Sequence, residues 1–194
     1  MNRRFFATAL LAVVLSGCGP SGPTYRSIDV TGAEYGRGFT LTDHTGQQRT
    51  LADYKGKLVT LFFGFTHCPD VCPTSLSTMK QALEQLGPDA AKVQVLFITV
   101  DPERDTAELL AGYVPKFDPS FVGLRGDAAA TAATAKEYKI FYQKVAGSTE
   151  GQYTMDHSAG TYVHDVQGRL RLFIRHGETA ANIAEDLKTL LAAG

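Results

Sequence analysis

The chain has 194 residues, 44% of them apolar and 20% charged, with 19 basic and 20 acidic side chains giving a net charge of -1. These proportions suit one compact domain and are too apolar for intrinsic disorder. Near-neutrality offers no basic surface for nucleic acid, and three cysteines are too few for a disulfide-stapled miniprotein.

The N-terminal segment reads as an address rather than as fold. Arg3 and Arg4 precede an apolar run from Phe5 to Leu15. That run is too short for a permanent membrane helix, which takes about 20 residues. It ends in Leu15-Ser16-Gly17-Cys18, which is similar to a bacterial lipobox. Residues 1–17 are therefore expected to be a lipoprotein signal peptide, and Cys18 the lipidated residue. Acyl chains contribute about 0.8 kcal/mol per buried CH₂, so two or three of them hold a domain stably at a membrane. The Gly-, Ser- and Pro-rich stretch that follows is expected to be a flexible linker over 18–37, leaving 38–194 as the domain. This places the domain outside the cytoplasm, facing the periplasm of a bacterial envelope, where thiols tend to oxidise.

Phe39 to Leu51 predicts a small hairpin through the turn Asp43-His44-Thr45-Gly46. Lys57 to Phe65 is an almost unbroken β-branched and aromatic run, as in a central strand buried on both faces. Pro73 at the first helical position predicts an amphipathic helix with Leu76, Met79, Leu83 and Leu86 on one face and Gly87-Pro88 as its stop. Val93 to Val100 predicts a second buried strand and Asp105 to Val114 a second helix. A short strand at Phe121–Leu124 precedes an alanine-rich helix capped by Asp127. Tyr142 to Tyr153 reads as an inserted hairpin, Gly160 to Ile174 as another, and Thr179 to Ala193 as a final helix. This order implies an α/β sandwich with a mixed central β-sheet flanked by helices.

The chemistry concentrates on one strand-to-helix turn, Thr66-His67-Cys68-Pro69-Asp70-Val71-Cys72-Pro73. Placed at a helix start, the two thiols are expected to have lowered pKa values and to offer thiolates. Three residues separate them, against two in a thioredoxin-type redox pair. That spacing permits a disulfide and equally suits two sulfurs converging on one soft ion such as copper(I). A mononuclear site then calls for a further donor, and histidine is the usual one. His157, in the loop entering a late strand, and His67, beside Cys68, are the candidates. The residues alone favour His157 only modestly, because loops at one end of the sheet converge on such a turn. Met155 is a soft donor near the same place, and Met79 reads as core. Asp70 and Asp156 flank the donors, while Asp101 in Asp101-Pro-Glu-Arg-Asp105 suits either helix capping or support of a ligand.

Three segments together resemble the Sco/SenC family of copper-binding thioredoxin-like proteins. They are Phe62 to Thr74, Val100 to Asp105, and Asp156-His157-Ser158, in matching order and separation. The resemblance runs from about Gly38 to the C-terminus and implies a thioredoxin-like fold. It implies that Cys68, Cys72 and His157 bind one copper ion, as Cu(I) or Cu(II), and that His67 is not a ligand. It further implies delivery of copper to the CuA-bearing subunit of cytochrome c oxidase, a binding and transfer role rather than turnover catalysis. Exchange with another periplasmic copper chaperone or a thioredoxin-like reductant would accompany that role. The competing reading is a periplasmic thiol-disulfide oxidoreductase using Cys68 and Cys72. Such enzymes usually carry a proline before a late strand, whereas no proline follows Pro119 here and the corresponding region reads Met155-Asp-His-Ser-Ala159.

Overall fold

The computed structural model describes residues 22–149 and 151–194. The expected signal segment and Cys18 lie outside the described residues. In chain order the strands and α-helices are β1 (Ile28–Asp29), β2 (Thr40–Asp43), β3 (Gln48–Thr50), β4 (Leu58–Gly64), α1 (Val71–Leu86), β5 (Val93–Thr99), α2 (Ala107–Tyr113), β6 (Val122–Arg125), α3 (Ala128–Glu137), β7 (Tyr142–Ala146), β8 (Tyr153–His157), β9 (Gly160–His164), β10 (Leu170–Arg175) and α4 (Ala180–Ala193).

Eight strands form one mixed sheet in the order β1-β10-β9-β4-β5-β6-β2-β3. Strands β4, β5 and β6 run parallel, and the remaining neighbours pair antiparallel. Every residue of β4 is buried, as its unbroken apolar run requires of a strand covered on both faces. Alternation along β4 sends Phe62 and Phe63 to opposite faces. Phe62 meets Phe97, which Tyr113 of α2 covers at a ring separation of 5.8 Å, on the face where α1 packs. Phe63 meets Tyr138 and Tyr162 on the other face, at the end of α3. The expected α/β sandwich, its N-terminal hairpin β2–β3 and its inserted hairpin β7–β8 are all present.

Helix starts differ from the sequence expectation in two places. Helix α1 begins at Val71 with Asp70 as N-cap, so Pro73 is its third residue rather than its first. Proline is tolerated there because N–H groups of the first turn have no intrahelical partner. Helix α2 begins at Ala107, capped by the Thr106 hydroxyl, which accepts from Leu109 N at 3.2 Å. Neither Asp101 nor Asp105 caps it. Asp127 caps α3 as its position predicts, and Thr179, expected as the first helical residue, is the N-cap of α4.

The stretch expected to be a linker is docked from Arg26 onward. The Arg26 and Ser27 N–H groups donate to the buried carboxylate of Asp186 at 2.7 and 2.8 Å, and β1 extends the sheet beside β10. Two-residue strands carry no hydrophobic periodicity, so composition alone reads them as loop. Among the described residues no helix is long and apolar enough to cross a membrane.

Candidate metal centre

Strand β4 ends at Gly64, and the chain turns through Phe65–Asp70 into α1. Cys68 N donates to Phe65 O at 3.2 Å, closing that turn. Cys72 lies on the first turn of α1, fully buried, and its N–H points at Cys68 Sγ at 3.4 Å. Gly64 makes room for this sulfur, since a Cβ there would stand 2.8 Å from Cys72 Sγ. Cys68 is half-buried, and neither cysteine is in a disulfide.

His157 closes strand β8 of the inserted hairpin, 85 residues further along the chain. Its Nε2 lies 3.7 Å from Cys72 Sγ. Its Nδ1 lies 3.0 Å from the Ser158 carbonyl oxygen, which can only accept. The ring proton therefore sits on Nδ1, and the Nε2 lone pair faces the sulfur. The rings of Phe62 and Phe65 meet the imidazole edge-on at 6.4 and 5.7 Å and fix its plane. One donor atom each from Cys68, Cys72 and His157 falls within 4.8 Å of the others, the one such group of three among the described residues. A small cavity of about 180 Å³ opens beside them, lined by Phe65, Cys68, Pro69, Met155 and His157 among others.

The electrostatics of buried Cys72 and half-buried His157 oppose metal-free ionisation. Burial pushes the Cys72 thiol well up, and a backbone hydrogen bond from Phe65 offsets this only in part. This corrects the expectation of a lowered pKa, because desolvation of a fully buried sulfur outweighs the helix-start field. Burial also lowers the pKa of His157, with the Ser158 carbonyl and the Asp156 charge acting against it, so the imidazole is neutral at pH 7. Neutral imidazole is the ligating form.

The other singled-out residues fall into place around this group. His67 is exposed, with Nδ1 3.1 Å from Thr66 Oγ1, and contributes no donor to the cluster. Met79 is core, whereas Met155 lines the cavity. Asp70 accepts from Thr74 Oγ1 at 3.2 Å and reaches none of the three donors. Asp156 is exposed on β8 and acts on His157 through charge alone. Asp101 is buried, accepting from Arg104 Nε and from Tyr153 OH, and so braces the hairpin rather than touching His157. Sequence reasoning missed Asp105. Its fully buried carboxylate accepts from Thr66 N at 3.0 Å, Thr66 Oγ1 at 2.6 Å and Thr99 Oγ1 at 2.6 Å, tying the cysteine turn to the end of β5. Thr66 lies 39 residues away, so no local pattern announces this contact.

A sequence model of the family SCO1/SenC matches residues 29–192. The chain belongs to the SCO1/SenC family. The mitochondrial SCO2 homologue of Bos taurus is 39% identical over 164 residues, covering 83% of this chain and 62% of that protein. The chain thus spans about three-fifths of the length of that curated relative. Two solved SCO1/SenC structures agree with the fold. Bradyrhizobium japonicum ScoI with copper bound is 44% identical, with a TM-score of 0.74 over 81% of this chain and 99% of that one. Apo Sco1 from Thermus thermophilus is 38% identical, with a TM-score of 0.77 over 89% and 99%. These matches identify the mixed sheet and its helices as the Sco-type thioredoxin-like fold.

Proposed function

We propose that this chain is a copper metallochaperone that holds one copper ion between Cys68, Cys72 and His157 and delivers it to the CuA site of cytochrome c oxidase. The observation that carries the reading is the convergence of two sulfurs and one correctly tautomerised imidazole within 4.8 Å. The donor set fits the ion. With metal–ligand bonds of about 2.0–2.3 Å set 120° apart, sulfur and nitrogen stand about 3.7 Å from each other. Cys72 Sγ and His157 Nε2 stand at 3.7 Å. Soft sulfurs suit copper(I) and imidazole suits copper(II), so the site accepts both states. The B. japonicum relative, bound to copper in its solved structure, supports the same cargo.

Release follows from the same geometry. His157 arrives on a separate hairpin, so the imidazole can leave while the sulfurs, both on the α1 turn, pass the ion to an incoming soft donor. Oxidation of Cys68 and Cys72 to a disulfide by exchange with a partner protein's disulfide, which takes up the two electrons and two protons, removes both sulfur donors. A thioredoxin-like dithiol would restore them, and a second periplasmic copper chaperone would supply the ion. The lipid anchor at Cys18 and the periplasm-facing location belong to this proposal and rest on the N-terminal sequence.

The second reading is a thiol-disulfide oxidoreductase, favoured by the proximity of the two sulfurs. His157 argues against it, because it stands in the region where such enzymes usually carry a proline. The test loads the reduced full-length protein with copper(I) and mixes it with an apo CuA fragment whose cysteines are either reduced or disulfide-bonded. Copper transfer to the reduced fragment is expected. Disulfide reduction without copper transfer would establish the oxidoreductase instead.

A further inference from the structure

Hairpin β7–β8 forms a two-stranded sheet of its own, with no strand pairing to the eight-stranded sheet. His157 is therefore placed against the cysteines by its short link to β9 and by side-chain packing. Strand β8 alternates, so Tyr153, Met155 and His157 share its inward face while Thr154 and Asp156 are exposed. The inward face is gripped at its far end by Arg104, from the loop between β5 and α2. The guanidinium lies over the Tyr153 ring at 3.6 Å, and its Nη1 donates to the Tyr153 carbonyl at 2.9 Å. Its Nε donates to buried Asp101, which also accepts from Tyr153 OH at 2.9 Å. The same guanidinium stands 5.8 Å from the Phe65 ring, which also meets the His157 imidazole at 5.7 Å. Arg104 thus meets His157 by two routes, along β8 from Tyr153 and across Phe65, without touching the donors. Among the described residues its buried Nη2 has no hydrogen-bond partner. Such a group is kept in place by the stack it belongs to.

We infer that Arg104 is a positioning residue that latches the His157 hairpin and thereby sets how strongly the site prefers copper(II) over copper(I). Cys72 sits on α1 and Cys68 on the turn before it, and Arg104 makes no hydrogen bond to either. Loosening it withdraws the imidazole and leaves the sulfurs in place. The inference rests on the copper reading of the site.

The test compares the full-length wild type with Arg104→Met, His157→Ala and the double variant, each titrated with Cu(II) and with Cu(I). Arg104→Met is expected to weaken Cu(II) binding about tenfold or more, the scale for losing a residue that orients a metal ligand. Its sulfur-to-copper(II) charge-transfer band should shift, and Cu(I) affinity should stay within about twofold of wild type. The double variant should bind Cu(II) no more weakly than His157→Ala alone, because both changes remove the same contribution. A double variant weakened by the product of the two single effects, or a parallel loss of Cu(I), would overturn the latch. Asp101 loses its cationic partner in Arg104→Met, so Tyr153→Leu, which keeps the Arg104–Asp101 pair, runs the same cycle if that variant fails to fold. A metal-free readout accompanies it. Amide exchange should accelerate about tenfold across residues 142–157 in the apo variant and stay unchanged in β4 and β5. Unchanged hairpin exchange would overturn the latch. Wild type that binds no copper, or His157→Ala with undiminished Cu(II) affinity, would instead overturn the copper reading on which the latch rests.

Discussion

Cys72 shows how one side chain couples the core to the chemistry. Its sulfur is fully buried, and burial raises its pKa, so the metal-free thiol is protonated across neutral pH. Copper must displace that proton, whereas His157 is already neutral and gives up none. The sign follows directly. Raising the pH lowers the proton concentration against which copper competes, so apparent copper(I) affinity rises with pH, about tenfold per unit for each proton released. Competition titrations between pH 6 and 8 measure this. An affinity independent of pH would mean that the Cys72 sulfur is ionised before copper arrives. The cysteine pair was legible in the sequence because its residues are neighbours on one turn. His157 was legible through its position in the element order and through family resemblance. Arg104 and Asp105 were visible only as members of an acidic motif, because their partners Tyr153 and Thr66 lie 49 and 39 residues away.

At the scale of elements, the cysteine site is made by β4 and α1 packing closely where β4 ends. Gly64 permits this approach. A Cβ at that position would lie 2.8 Å from Cys72 Sγ and 2.9 Å from the rings of Phe62 and Phe97. Gly64→Ala should therefore cost about 1–3 kcal/mol in urea unfolding, the usual range for an overpacked core, and should weaken copper(I) binding by moving the sulfur. Wild-type stability and affinity in that variant would show that β4 and α1 can separate freely. The long apolar strands, the amphipathic α1 and α4 and the Asp127 cap were readable from periodicity and capping chemistry. The start of α1 was misplaced by two residues because proline is acceptable anywhere in the first turn, and the cap at Thr106 was hidden beside the aspartates of the Asp101–Asp105 motif.

At the scale of the whole molecule, the domain is longer than its composition suggests. Residues 26–36 pack against α4, β10 and the end of α3 through Asp186, β1 and the Gly36 N–H bond to Glu137 O at 2.9 Å. Most of the second half of the 18–37 stretch, whose Gly and Pro content predicts a linker, is thus packed on the domain. If Cys18 carries the anchor, Cys18→Ser should move the protein from the membrane fraction to the soluble periplasmic fraction, leaving copper binding unchanged. Retention in the membrane fraction would show that the N-terminal apolar run is itself the anchor. The α/β architecture was readable because strands and helices alternate in order. The separation of β7–β8 from the main sheet was not, because a hairpin's sequence records its own pairing and not what it packs against.

The most direct test of the three-donor copper site is a paired titration of wild type and His157→Ala with copper(II) and copper(I). The arrangement predicts one copper per chain in the wild type. In the variant it predicts a copper(II) affinity reduced by about a hundredfold and a copper(I) affinity changed far less, since the two sulfurs remain. Equal copper(II) affinity in the two proteins would contradict it.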